Sequence, residues 1–132
     1  MASITLAEAE RVLQAAKAKA LQIGVRVGIT VVDSRGDPVI ALKTDGANHF
    51  TFDASRGKAH VSAVFGVPSG ETAARADSPV FRSLVMMEGG RLIFSIGAVP
   101  LKQGSEVIGA IGVGGATGEQ DEEIARAGAA VL

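Results

Sequence analysis

Nine of the seventeen glycines in this 132-residue chain fall between Gly89 and Gly118. They culminate in Val107-Ile108-Gly109-Ala110-Ile111-Gly112-Val113-Gly114-Gly115-Ala116-Thr117-Gly118, followed by the acidic run Glu119-Gln120-Asp121-Glu122-Glu123. The pattern is an apolar strand, a glycine turn and a capped helix. Glycine at such a junction permits positive φ, or lets another backbone or a ligand approach closely. Amides at the following helix start can also hold an anion. A dinucleotide fingerprint is not met, because Thr117 stands at the third glycine position after Gly112 and Gly114 and no acidic residue closes a βαβ unit beyond it. Two readings stay open: a tight turn beside a close packing contact, and an anion-binding nest.

The rest of the chain supplies the elements around this junction. Thr5 and Glu8 form a capping box before Leu6, Ala9, Val12, Leu13, Ala16 and Ala20, which recur at helical spacing until Gly24. Residues 27–32 and 38–43 read as strands joined by the turn cluster 33–37, and 44–49 as a polar loop. A second helix is expected from about Thr51 to Phe65, ended by Gly66-Val67-Pro68. Residues 69–77 read as irregular or weakly helical. Ser78-Pro79 opens a short helix with Val80, Leu84 and Met87 expected inward. Three strands are expected at 92–96, 98–102 and 106–113, with Gln103-Gly104-Ser105 as a hairpin turn. Thr117 and Gln120 form a second capping box, and the last helix presents Ile124, Ala127, Gly128 and Val131 on one face. Hairpin connections imply a mostly antiparallel sheet covered by helices, in a single α/β domain over residues 1–132.

Composition narrows the functions. The net charge is −1 and the pI about 6.1, with basic residues scattered and neither Tyr nor Trp present, which argues against nucleic-acid binding. With no cysteine, disulfides and thiolate metal sites are excluded. No apolar run approaches a membrane span and no secretory signal pattern opens the chain, so a cytoplasmic protein is expected. Apolar content of 47% with only 4% aromatic gives a core of small aliphatic side chains, suited to close subunit packing.

Several residues are candidates for chemistry. Lys58 shares a helical stripe with Ala54, Val61 and Phe65, so it either snorkels or meets a buried acceptor. A buried lysine can serve as a base or amine nucleophile, with Asp45 or Asp121 as its partner. His60 shares its helical face with Asp53, Arg56, Gly57 and Val64, and neutral imidazole suits iron. Lys58 and His60 stand about 200° apart on that helix and do not serve one site directly. Asp45 and His49 share the loop before it. Against each stands a structural reading: an ion pair for Lys58, a solvated or hydrogen-bonded ring for His60, a turn for Asp45-Gly46, and core packing for Met86-Met87.

The pieces in order resemble the GlcG/HbpS-like haem-degrading domain family, which includes the PduO C-terminal type. They are Leu6-Ala7-Glu8-Ala9, Val31-Val32-Asp33 with Gly36, Asp45-Gly46-Ala47, Lys58-Ala59, Phe65-Gly66-Val67-Pro68, Gly89-Gly90, Val99-Pro100-Leu101, residues 107–113, and Gly115 with Glu119-Gln120-Asp121. Gly114 stands where the family usually has serine. The resemblance implies a profilin-like three-layer α/β/α domain with a central five-stranded antiparallel sheet, a homo-oligomer, and in some members haem binding or degradation. The expected function is an oligomeric protein binding a small acidic or haem-like ligand. Its site is expected near Asp45, His49, Lys58, His60, Gly114, Gly115 and Asp121, with His60 or His49 as the iron ligand if haem binds. Two alternatives are a small lyase, isomerase or hydrolase acting on an organic acid through Lys58 and Asp45, and a purely structural oligomer.

Overall fold

The computed structural model describes residues 2–132. The element order is α1 (Leu6–Ile23), β1 (Gly28–Asp33), β2 (Pro38–Lys43), α2 (Phe50–Phe65), a 3-10 segment (Ser69–Arg75), α3 (Pro79–Met87), β3 (Ala98–Gln103), β4 (Glu106–Gly114) and α4 (Gly118–Ala129). The strands form one antiparallel sheet in the order β2-β1-β4-β3. Pro38 and Pro100 both lie on edge strands, where a missing ladder donor is tolerated.

The sheet's two faces are chemically different. Ile29 and Val31 of β1 and Ile111 and Val113 of β4 pack with Val12, Leu13, Ala16 and Ile124 of α1 and α4 in the main core. The alternate residues face α2: Val32 and Ala110 pack with Ala59 and Ala63, and Thr30 hydrogen-bonds Ser55 at 2.7 Å. Here the glycine pattern finds its cause. A Cβ on Gly112 would run into the Ser55 carbonyl and the Ala59 amide, and one on Gly28 would lie 2.5 Å from the Thr51 carbonyl. Bare backbone on β1 and β4 lets α2 lie unusually low on the sheet. A bulge at Ile108, where Leu101 pairs with Gly109 and Lys102 with Val107, turns that side chain into the main core.

Among the described residues four strands are present, not five. Residues 92–96 form no strand, because their bonding capacity is spent on helices. The Ile93 amide donates to the Gly57 carbonyl of α2, and the Ser95 carbonyl accepts from Ser69 Oγ. Leu92 and Phe94 sink with Val61 into a second cluster beside Phe65, Phe81, Leu84 and Val85. Phe65, Phe81 and Phe94 meet there with ring centroids 5.1–6.1 Å apart. In α3 the inward side is therefore Phe81, Leu84 and Val85, while Val80 and Met87 are 65% and 80% exposed. Leu6 and Val131, expected inward on α1 and α4, are also exposed. The remaining buried positions of α1 are those expected: Ala9, Val12, Leu13, Ala16 and Ala20.

Candidate functional site

Lys58 projects from the sheet-facing side of α2 and is buried, at 7% exposure. Its ammonium donates to the Val113 carbonyl and to Asp121 Oδ2, both at 3.1 Å. The local backbone explains the need for it. The Val113 amide bonds the Gly97 carbonyl just before β3 begins, and Gly97, at φ +142°, turns the chain away from the ladder. The Val113 carbonyl on that edge is then met by the lysine. A Cβ on Gly97 would lie 2.7 Å from Lys58 Nζ, so a glycine roofs the ammonium.

Asp121 sits in the first turn of α4, where the helix dipole favours a carboxylate. Its Oδ1 accepts from the Ala116 amide at 3.0 Å. Burial pushes its carboxyl above the ordinary aspartate value, opposed by the Lys58 ammonium and the Ala116 amide. The pair thus ties α2 on one face of the sheet to α4 on the other, past the end of β3. No described residue's buried side-chain polar atom lacks a partner.

Gly114 and Gly115 adjoin this pair but serve packing. A Cβ on Gly114 would meet Ala54 and Ser55, and one on Gly115, at φ +122°, would meet the Arg26 carbonyl and Thr51. The turn is filled by the first turns of α2.

The other sequence candidates lie elsewhere. Asp45 lines a shallow depression of about 320 Å³ with Lys17, Leu21, Leu42, Lys43 and Thr44. His49 precedes α2 and lies against the exposed Phe50, with ring centroids 4.0 Å apart. His60 is half-buried on α2, with Nδ1 3.0 Å from the Gly36 carbonyl in the β1–β2 turn. A carbonyl only accepts, so Nδ1 is the donor in this bond, and in the neutral ring the lone pair then lies on Nε2. That is the arrangement usual for metal-ligating histidines, whose second nitrogen is fixed by a carbonyl or carboxylate. Among the described residues no group of three His, Cys, Asp or Glu side chains could hold a bare metal ion.

Of the residues expected at one site, Lys58 and Asp121 pair beside Gly114 and Gly115, whereas Asp45, His49 and His60 lie apart from them. The backbone partners at Gly97, Val113 and Gly36 were not foreseen. No residue-level signal marks a carbonyl as an acceptor; only strand pairing exposes it.

The model of the haem-degrading HbpS-like proteins matches residues 4–130. The chain belongs to this HbpS-like family. It is 35% identical over 126 residues, 95% of its length and 89% of the relative's, to an uncharacterised 15.0 kDa protein of Citrobacter freundii from the dhaT-dhaS intergenic region. Among solved structures, Klebsiella pneumoniae protein ORFY is 30% identical with a TM-score of 0.89, covering 98% of this chain and 90% of that one. A double mutant of Streptomyces reticuli HbpS is 32% identical with a TM-score of 0.87, covering 100% and 88%. The PduOC:heme complex, at 21% identity and a TM-score of 0.85 over 98% and 95%, shares the fold.

Proposed function

We propose that this HbpS-like protein binds haem through His60 of α2, beside the β1–β2 turn. The observation that carries the reading is the His60–Gly36 hydrogen bond, in which Nδ1 donates, so that the neutral ring presents its lone pair at Nε2. The family description supports the ligand class. A metal that arrives already held by four porphyrin nitrogens needs only one protein ligand, in keeping with the lack of a multi-residue metal cluster among the described residues. Bound haem supplies a redox-active iron; the protein's own part is to fix the imidazole tautomer and ring plane from the β1–β2 turn. His49, beside the exposed Phe50, is the second candidate ligand. Self-association is part of the proposal, supported by the exposed apolar side chains Phe50, Val80, Met86 and Met87. A cytoplasmic setting is in keeping with the absence of cysteine.

In this reading Lys58 and Asp121 are structural. Catalysis by Lys58 with Asp45 is the reading the geometry supports least. The ammonium is buried and paired, and Asp45 lines a depression that Lys58 does not reach.

Hemin titration followed by visible absorption tests the proposal. Wild type is expected to give a saturable Soret shift that His60→Ala loses and His49→Ala keeps. Equal, non-saturating shifts in all three proteins would overturn it.

A further inference from the structure

A cleft of about 290 Å³ opens between α2 and the Gly89–Gly90 turn that follows α3. Its charged walls are Arg56, Arg91 and Asp53, and Ile93 forms an apolar side. The ion pairs among the described residues are Lys19–Glu123, Lys58–Asp121 and Arg126–Glu122, so neither cleft arginine has a carboxylate within 4.0 Å. The geometry of the walls is fixed by packing. Gly57 lets residues 91–93 lie against α2, since a Cβ there would be 2.5 Å from Ile93 Cγ1. Gly89 and Gly90 both hold positive φ, and the Arg91 side chain passes beside Gly89. The turn's own amides are already bonded to Met86, Val85 and Glu88 carbonyls, which leaves the guanidinium groups as the cleft's free donors.

We propose that this cleft binds a small oxyanion, a carboxylate or a phosphate group, between Arg56 and Arg91. Two forked guanidinium groups match paired acceptor oxygens, and their charge exceeds that of Asp53 by one. Asp53 acts against the anion and sets its affinity low. Anion binding there needs no iron and does not use His60 as a donor.

Isothermal titration of the hemin-free protein with malonate and, separately, with inorganic phosphate tests the proposal at low ionic strength, where screening is weak. Saturable binding of one ion per chain is expected. Arg56→Ala and Arg91→Ala each weaken it about tenfold, Asp53→Asn tightens it, and His60→Ala leaves it unchanged. Binding of malonate alone identifies a carboxylate site, and binding of phosphate alone a phosphoryl site. The proposal is overturned if wild type shows no saturable heat with either ion, or if the arginine variants bind as wild type does. A His60→Ala protein that loses hemin but keeps the anion separates the two sites.

Discussion

Replacing Lys58 by methionine keeps most of the side-chain volume and removes the ammonium. The Asp121 carboxyl, 2% exposed, then keeps only the Ala116 amide, and the Val113 carbonyl loses its donor. Breaking a buried pair from one side costs roughly 3–5 kcal/mol. A domain of 132 residues has a total stability of about 7–20 kcal/mol at ~0.05–0.15 kcal/mol per residue. The substitution therefore removes a large share of the whole, and the melting temperature falls by roughly 10–20 °C. Burial already pushes the Asp121 carboxyl up, so in this variant it takes a proton readily. The loss is smaller at mildly acid pH and larger at neutral pH. Lys58→Met/Asp121→Leu removes both charges and recovers most of the stability, because no uncompensated carboxylate remains. Urea and thermal unfolding followed by circular dichroism measure wild type, Lys58→Met, Asp121→Leu and the double variant. Two results would refute the reasoning: a Lys58→Met protein as stable as wild type, or a double variant losing the sum of the single losses.

Gly112→Ala drives a Cβ into the Ser55 carbonyl and the Ala59 amide, backbone that has no rotamer to yield, and is expected to cost at least about 2 kcal/mol; a wild-type urea midpoint contradicts the close α2–β4 contact. Asp121→Asn tests the sign of the Asp121 shift. The folded carboxyl sits above its unfolded value, so the native state binds more protons between the two. Wild type therefore gains stability relative to Asp121→Asn as pH falls through that window, and loses it as pH rises. A difference between the two proteins that stays flat, or moves the other way, refutes the burial argument.

The helices were legible because their ends carry side-chain chemistry. Thr5 with Glu8 and Thr117 with Gln120 form the capping boxes read from the sequence, and Ser78 with Pro79 opens α3. The glycine run allowed either a close contact or an anion nest, and the packing of Gly112 and Gly114 on α2 supplies the partner for the first. The phantom fifth strand at 92–96 shows the limit. Alternating Leu92 and Phe94 fit a strand, but Gly57 and Ser69, distant in sequence, claim that segment's backbone. The same holds for the site. Lys58 was visible as a charge in an apolar stripe, whereas Gly97, which roofs it, looks like any loop glycine. Arg56 and Arg91 come together only because Gly57 brings residues 91–93 onto α2.

The most direct test of haem ligation by His60 is chemical rescue. His60→Gly mixed with ferric hemin is compared with the wild-type mixture by electron paramagnetic resonance, before and after free imidazole is added. The account predicts that the variant loses the wild-type signal and that imidazole, supplying the missing nitrogen, restores it. A variant signal identical to wild type without imidazole would contradict it.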